Sequence, residues 1–472
     1  MGKKINSMPK LEKTMFREYD IRGRVSPKEL EEENCRTIGK GFGSFLKRKN
    51  VREAVVGFDA REYSARLKDA FVSGIISTGV NVVEIGQVLV PIAYFAQHFL
   101  KIKGVAMVTA SHNPNGWSGF KLGYNFDTTL LPEDIKKLYQ SILKEDFPRG
   151  HGSLKKEPEI IQVYGDYVIS KVNLKKSLKV VVNTGNGTAG PIVPPILRKA
   201  GLQVVEQFCD INFNFPHHEP NPAALEAIEA LSSKVKEIKA DIGLGFDGDG
   251  DRLGVVDERG GVVWPDRYLI LLARRVLKEK PGSSVVFDVK CSQALIEEIE
   301  KQGGKPVMWK TGHSYIKEKA KEVNASLAGE RSGHIFYRHG YYGYDDAVFA
   351  ALKLLEYLSG QDKTISEIMK STPQYFISPA WHADCADEVK YKLVEKLTKE
   401  FKKEYGQDRV IDINGARVKF DDGWGLVRAS SNLPVLVLVF ESKTKKGLER
   451  IESIFRQKLA KYPKVGKKWI SG

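Results

Sequence analysis

The sequence predicts a multidomain α/β protein in which three related α/β domains precede a smaller α+β domain. Three observations lead to this. The chain has 472 residues, more than one hydrophobic core usually organises. Three successive stretches alternate short β-branched runs with amphipathic helical segments, the mark of α/β layers. The final stretch changes pattern, with closely spaced strands and a closing helix.

In the first stretch, 54–57, 81–85 and 105–108 read as strands, with a helical pattern over 64–77 between them. In the second, 178–182, 203–207 and 241–245 take that part, and in the third 284–289, 306–309 and 326–328. Small or glycine-rich residues follow the strands of each unit. Ligand sites of open α/β sheets gather at such carboxyl ends. In the last stretch, 381–406 reads as a strand then a helix, 410–420, 425–429 and 435–441 as strands, and 445–459 as a helix. Breaks near Glu157-Pro158, at Gly260-Gly261 and at Thr372-Pro373 give expected domains of 1–158, 159–261, 262–373 and 374–472.

Hydrophobic residues make up 42% and charged residues 28%, as in ordinary globular proteins. The formal net charge of +15 permits nucleic acid, an anionic membrane or an anionic small substrate as partner. Lysines and arginines are dispersed, with a modest cluster at Lys461, Lys464, Lys467 and Lys468. No helix-turn-helix, zinc or ribonucleoprotein motif is present, so a nucleic-acid partner is not expected. Four cysteines, Cys35, Cys209, Cys291 and Cys385, are too few and too scattered for a disulfide framework and point to a reducing compartment. The opening 1–13 is polar and basic and does not read as a secretory signal. Asn6 stands where a myristoylation signal needs Ser or Thr. The longest apolar run, 433–440, contains Pro434 and is too short to span a bilayer. A cytoplasmic protein without a membrane partner is the expectation.

Four motifs carry chemistry. Thr109-Ala110-Ser111-His112-Asn113-Pro114 follows a strand, which exposes Ser111. It is not a Gly-x-Ser-x-Gly elbow, so acyl transfer has little support. The serine reads as a phosphoryl carrier or as part of a polar turn. Lys121, ten residues on, offers a cation or a proton. Asp247-Gly248-Asp249-Gly250-Asp251-Arg252 places three carboxylates at alternate positions, with glycines that let the loop bend around one hard cation. An EF-hand is a poorer reading, because Arg252 holds the sixth position and a strand precedes the loop. Gly329-Glu330-Arg331-Ser332-Gly333-His334, with Lys310-Thr311-Gly312-His313-Ser314 upstream, could bind sugar hydroxyls or form ordinary loops. Arg428-Ala429-Ser430-Ser431-Asn432-Leu433-Pro434 offers an arginine fork, two hydroxyls and an amide to an oxyanion, or a plain turn.

Together, in this order and spacing, the motifs resemble those of the α-D-phosphohexomutase superfamily, along essentially the whole chain. The bacterial phosphomannomutase/phosphoglucomutase branch is the most similar. Phe16-Arg17-Glu18-Tyr19-Asp20-Ile21-Arg22-Gly23 and Asp288-Val289-Lys290-Cys291 add to the likeness. The resemblance implies four domains around a central cleft, bearing in turn a phosphoserine loop, a metal loop, a sugar-recognition loop and a phosphate-binding loop. It implies a phosphoserine at Ser111, and Mg²⁺ held by Asp247, Asp249, Asp251 and the Ser111 phosphate. Lys121 is the implied general acid/base, with Arg22, His112 and Arg252 in the same catalytic site. Tyr19, Lys290, His313, Glu330, Ser332 and His334 match sugar-contacting positions. Arg428, Ser430, Ser431 and Asn432 match the distal phosphate loop.

The implied reaction interconverts hexose 1-phosphate and hexose 6-phosphate, of mannose or glucose. It runs through glucose 1,6-bisphosphate or mannose 1,6-bisphosphate, which turns around between two phosphoryl transfers. The partners implied are phosphorylated hexoses, and the assembly a monomer or small homo-oligomer. Three positions depart from the family pattern: Phe58, Ser118, and Ser431-Asn432. The alternatives are a phosphoglucosamine mutase, disfavoured by Arg331 and by the last loop, a non-catalytic sugar-phosphate binder, and a phosphatase.

Overall fold

The β-branched runs do form strands, mostly buried but part-exposed at the edges Gln203–Gln207 and Lys305–Trp309, and helices pack on their sheets. The structure, a computed structural model, describes residues 11–126 and 128–471. The basic opening with Asn6 lies outside the described residues. The chain divides into two compact units, Met1–Val262 with Gly340–Gly360, and Val263–His339 with Gln361–Gly472.

The first unit holds two sheets. One has seven strands, with the path Ile21–Arg24, Trp117–Asn125, Gly104–Val108, Glu53–Phe58, Asn81–Gln87, Leu154–Lys156. The strands from Gly104–Val108 to Leu154–Lys156 run parallel, and the other side is antiparallel. Gly104–Val108 is buried along its whole length, as a central strand covered on both faces must be. Phe42, Phe71 and Phe120 stack in the core beneath it. The second sheet runs Leu253–Asp257, Ile242–Phe246, Lys179–Asn183, Gln203–Gln207, with only the first strand antiparallel.

Helix Ala347–Ser359 also packs in this unit, away from its sequence neighbours. Its cap, Asp346, accepts hydrogen bonds from the Phe349 amide at 2.8 Å, the Tyr164 hydroxyl at 2.8 Å and the Tyr341 hydroxyl at 2.7 Å. Burial pushes this carboxyl up to about 6.

The second unit holds the other two sheets. The third sheet runs Lys305–Trp309, Ser284–Asp288, Leu327–Gly329, Ile335–Tyr337, again with one antiparallel edge. The fourth is antiparallel throughout, along Val410–Ile411, Ala416–Phe420, Gly423–Ala429, Val435–Ser442, Trp381–Asp384, Trp469–Ser471. Helices Asp387–Tyr405 and Lys445–Leu459 cover one face. The other face packs Trp424, Leu426 and Val439 on Val289 and Met308 of the third sheet's surroundings.

The strand 203–207 and the helix 445–459 have the expected bounds. The expected single strand 410–420 is two strands. Residues 412–415 turn between them, and Gly415 adopts φ +92°, which a residue with a Cβ rarely does.

One topological device recurs. Each of the four motifs is the loop of a hairpin between adjacent antiparallel strands: after Gly104–Val108, after Ile242–Phe246, after Leu327–Gly329 and after Gly423–Ala429.

Candidate active site

Ser111, expected to be exposed at the strand exit, is instead buried beneath the neighbouring loops, and it leads into the first hairpin loop with φ +53°, a left-handed conformation that non-glycine residues rarely hold without support. The support is an arginine. Buried Arg61 donates to the carbonyls of Ser111 at 2.9 Å, Asn113 at 2.7 Å and Pro114 at 3.3 Å. Asp59 pairs with Arg61 at 3.2 Å and accepts from the Ala110 amide at 3.2 Å. Thr109 completes the frame: its hydroxyl accepts from the Ser111 amide at 2.9 Å and donates to Asp249 at 3.0 Å.

The acidic hairpin meets this loop within the same unit. Ser111 Oγ donates to Asp247 Oδ2 at 2.9 Å. A Cβ on Gly248 would lie 2.4 Å from the Ser111 carbonyl oxygen, and Gly250 has φ +72°. Those two glycines let the loop pass so close and turn so sharply. Asp247, Asp249 and Asp251 are all fully buried, and their ligand oxygens lie within 4.8 Å of one another. Lys121, on strand Trp117–Asn125, bridges Asp249 at 2.8 Å and Asp251.

Three buried carboxylates crowd one another here. Burial, then Asp251 and Asp249, push the Asp247 carboxyl well above the usual range. Asp249 Oδ1 is buried without a hydrogen-bond partner. An all-oxygen cluster with an unused buried carboxylate oxygen suits a hard divalent cation. Burial alone would lower the Lys121 ammonium, but the surrounding aspartates outweigh it and hold Lys121 protonated. His112 behaves oppositely. Burial, then Arg252, Arg22 and Lys121, push its imidazole well below 6.5, so it is neutral at neutral pH. Its Nδ1 lies 3.3 Å from Ser111 Oγ. Arg22 is held by Asp20 at 2.7 Å and Asn113 at 2.9 Å, and Tyr19 is near enough to act on its charge. Arg252 lies 3.9 Å from Asp247.

The second unit assembles its own polar group. Buried Asp288 accepts from the Thr311 hydroxyl at 2.8 Å and the Arg331 amide at 3.1 Å, and pairs with Lys290 at 3.3 Å. Burial would raise this carboxyl, but Lys290 and those donors outweigh it and hold it below the usual range. Glu330 accepts from the Gly312 amide at 2.6 Å and faces His334 at 3.2 Å. Ser332 lies 3.0 Å from His334, whose ring is 5.7 Å from that of His313. The Arg331 side chain turns elsewhere, to Asp266 at 3.6 Å and the Ser378 carbonyl at 3.2 Å.

Asn414 joins these residues to the last hairpin: its side-chain oxygen accepts from the Thr311 amide at 3.3 Å and Arg428 Nε at 2.8 Å. Arg428 also reaches Ser431 at 3.4 Å, while the Ser430 hydroxyl accepts from the Leu433 amide at 3.2 Å and the Asn432 amide at 3.4 Å.

The departures have quiet places. Phe58 takes the Lys68 ammonium over its ring at 5.4 Å. Ser118 is buried opposite Gly23. Sequence reading assigned Asp59 and Arg61 no role as the frame of the serine loop and Thr109 and Asp288 no role of their own, and it missed Asn414. The Asp-x-Arg spacing after a strand was the available signal for the first two. Nothing local marks Asn414, which acts through residues distant in sequence.

Four family models match the chain in order. They are phosphoglucomutase/phosphomannomutase alpha/beta/alpha domain I over residues 13–149, domain II over 162–261, domain III over 264–376 and the C-terminal domain over 384–458. A phosphomannomutase/phosphoglucomutase of Pseudomonas putida is 41% identical over 446 residues, 94% of this chain and 95% of that protein. A phosphoglucomutase of Neisseria gonorrhoeae is 36% identical over 459 residues, 97% and 99% of the two chains. The crystal structure of a phosphoglucomutase/phosphomannomutase family protein from Burkholderia thailandensis superposes with a TM-score of 0.89 at 37% identity. It covers 96% of this chain and 99% of that one.

Proposed function

Because this chain belongs to the phosphoglucomutase/phosphomannomutase family, we infer that it is a hexose phosphate mutase that exchanges a phosphoryl group between C1 and C6 through Ser111. The observation that carries the role of Ser111 is its placement. Its hydroxyl heads a loop framed by Arg61 and touches a buried triple-aspartate cluster with Lys121 beside it.

In this reading Ser111 carries the phosphoryl group at rest. The C1 or C6 hydroxyl of a bound hexose phosphate attacks phosphorus. The bond to Ser111 Oγ breaks, a bond to the sugar oxygen forms, and a 1,6-bisphosphate results. Lys121, protonated, is suited to offset charge on the transferring group and to supply a proton to Oγ as it leaves, and the proton given up by the attacking sugar hydroxyl restores the one supplied. After the sugar turns around, Ser111 attacks its other phosphate. Neutral His112, with Nδ1 facing Oγ, is suited to take the serine proton, and Lys121 to protonate the sugar oxygen that leaves. Mg²⁺ held by Asp247, Asp249, Asp251 and the Ser111 phosphate would neutralise charge on the transferring group. Arg22 and Arg252 contribute further positive charge.

Tyr19, Lys290, His313, Glu330, Ser332 and His334 are the proposed sugar contacts. Arg428, Ser430, Ser431 and Asn432 are the proposed holders of the phosphate that is not reacting. The domains are proposed as 1–158, 159–261, 262–373 and 374–472. No helix among the described residues is long and apolar enough to cross a membrane. Four buried free thiols suit the reducing cytoplasm proposed here, with a monomer or small homo-oligomer as the working form.

A coupled assay of glucose 1-phosphate to glucose 6-phosphate conversion, with Mg²⁺ and catalytic glucose 1,6-bisphosphate, tests the reading. Turnover that collapses in Ser111→Ala is expected. Undiminished turnover in that variant would remove Ser111 from the mechanism.

A further inference from the structure

We propose that His382 binds, together with Arg428 and Lys290, the substrate phosphate held away from Ser111, and takes up a proton as it does so. The inference rests on the reading of the last hairpin as the distal phosphate site.

Strand register places the histidine. Val437 pairs with Arg428 on one side and with His382 on the other. Directly paired residues of an antiparallel sheet project to the same face. Their neighbours Val427, Ala429, Leu438 and Ala383 lie in the core beneath the covering helices, with Leu397 and Phe455. Strand alternation therefore turns Arg428 and His382 to the opposite face, where Arg428 meets Asn414 and, through it, Thr311. Lys290 approaches the same face, because Arg417 of the fourth sheet binds the carbonyls on either side of it, Val289 at 2.6 Å and Cys291 at 2.8 Å.

The electrostatics agree with the register. Burial, then Lys290 and Arg428, push the His382 imidazole below 6.5. From the strands beside it come Val437 and Ile470, which carry no charge, and Asp384 on its own strand is exposed. The ring makes no hydrogen bond to another described residue. So the free enzyme holds a neutral histidine against two cations, with both ring nitrogens open to a ligand. A phosphate dianion reverses that balance. It favours the charged imidazole and accepts a charge-assisted hydrogen bond from it. An imidazole is also bulkier and less flexible than the hydroxyl and amide groups of the hairpin, so it favours a ligand whose phosphate reaches the sheet face.

The test is calorimetric titration of full-length Ser111→Ala protein with glucose 6-phosphate at neutral pH and in Mg²⁺, in two buffers of different ionisation enthalpy. The same titration is made after adding His382→Asn or Arg428→Ala. The expected result is proton uptake on binding that disappears in His382→Asn, with binding weaker by roughly tenfold and an unchanged melting temperature. Loss of a merely structural histidine would not remove the proton. Equal proton uptake and affinity with and without His382 would overturn the inference while leaving the hairpin reading intact, provided Arg428→Ala weakens binding. Unchanged affinity in Arg428→Ala would overturn the hairpin reading and the inference with it.

Discussion

At the scale of single residues, the reactive serine depends on groups that never touch a substrate in the proposed reaction. Arg61 satisfies three carbonyls of a loop whose first residue sits in a strained conformation. Arg61→Ala would free those carbonyls and let Ser111 leave its position beside Asp247. Misplacement of a reacting group by about an ångström costs on the order of a hundredfold in rate. The expectation is therefore a loss of kcat of about that size with KM little changed, read in the same coupled assay. A matching rise in KM would assign Arg61 to substrate binding instead. The triple-aspartate cluster was legible from spacing alone, since acidic residues alternating with glycines have few other uses. The Asp59–Arg61 frame was visible as a pair of letters but not as a function. Its partners are main-chain carbonyls, which every sequence possesses and none advertises.

At the scale of elements, the buried strand residue Arg417 ties the fourth sheet to the loop that carries Lys290. Its guanidinium stacks on Trp424 at 3.6 Å, and Trp424 donates to Glu441 at 2.7 Å. Burial lowers the guanidinium to about 10, so it remains charged at neutral pH. Arg417→Met would keep much of the volume but leave the Val289 and Cys291 carbonyls without their donor. Leaving a buried acceptor without its donor costs about 1–3 kcal/mol. The melting temperature of the variant should fall by several degrees, and its KM for hexose phosphate should rise as Lys290 loses its setting. Unaltered KM would show that the loop is fixed by other contacts. Sequence patterns placed the strands they named to within about two residues, because Val- and Ile-rich runs announce burial, but they left out the antiparallel strands Ile21–Arg24, Trp117–Asn125, Leu253–Asp257 and Ile335–Tyr337. They did not separate 410–411 from 416–420, where the hydrophobic pattern hides a turn set by Gly415. Nor did they show that helix Ala347–Ser359 leaves its neighbours. That choice is made by Asp346 with Tyr164, distant in sequence, and with nearby Tyr341.

At the scale of the whole molecule, the three aspartates and the serine proposed to hold the metal all belong to one compact unit. A ligand that binds the folded state stabilises the part that binds it, by mass action. Calorimetric unfolding should therefore be poorly described as two-state, and Mg²⁺ should raise one transition and leave the other in place. Asp249→Asn should abolish the Mg²⁺ effect. A single transition that Mg²⁺ shifts as a whole would mean that the two units unfold as one. The four-domain plan was readable from the sequence because the same alternation returns three times before the pattern changes. What the sequence did not announce is that each of the four motifs sits on the same kind of support, a hairpin whose two strands are laddered into a sheet. A loop so mounted can change length or composition while its anchors hold. Descent with modification can then work on one part at a time. The proposed sugar contacts in residues 330–334, or the proposed phosphate loop in 428–434, can drift while the serine and its acidic neighbours stay as inherited. On this view one scaffold can supply a lineage with enzymes of different appetites that all keep the same phosphoryl chemistry.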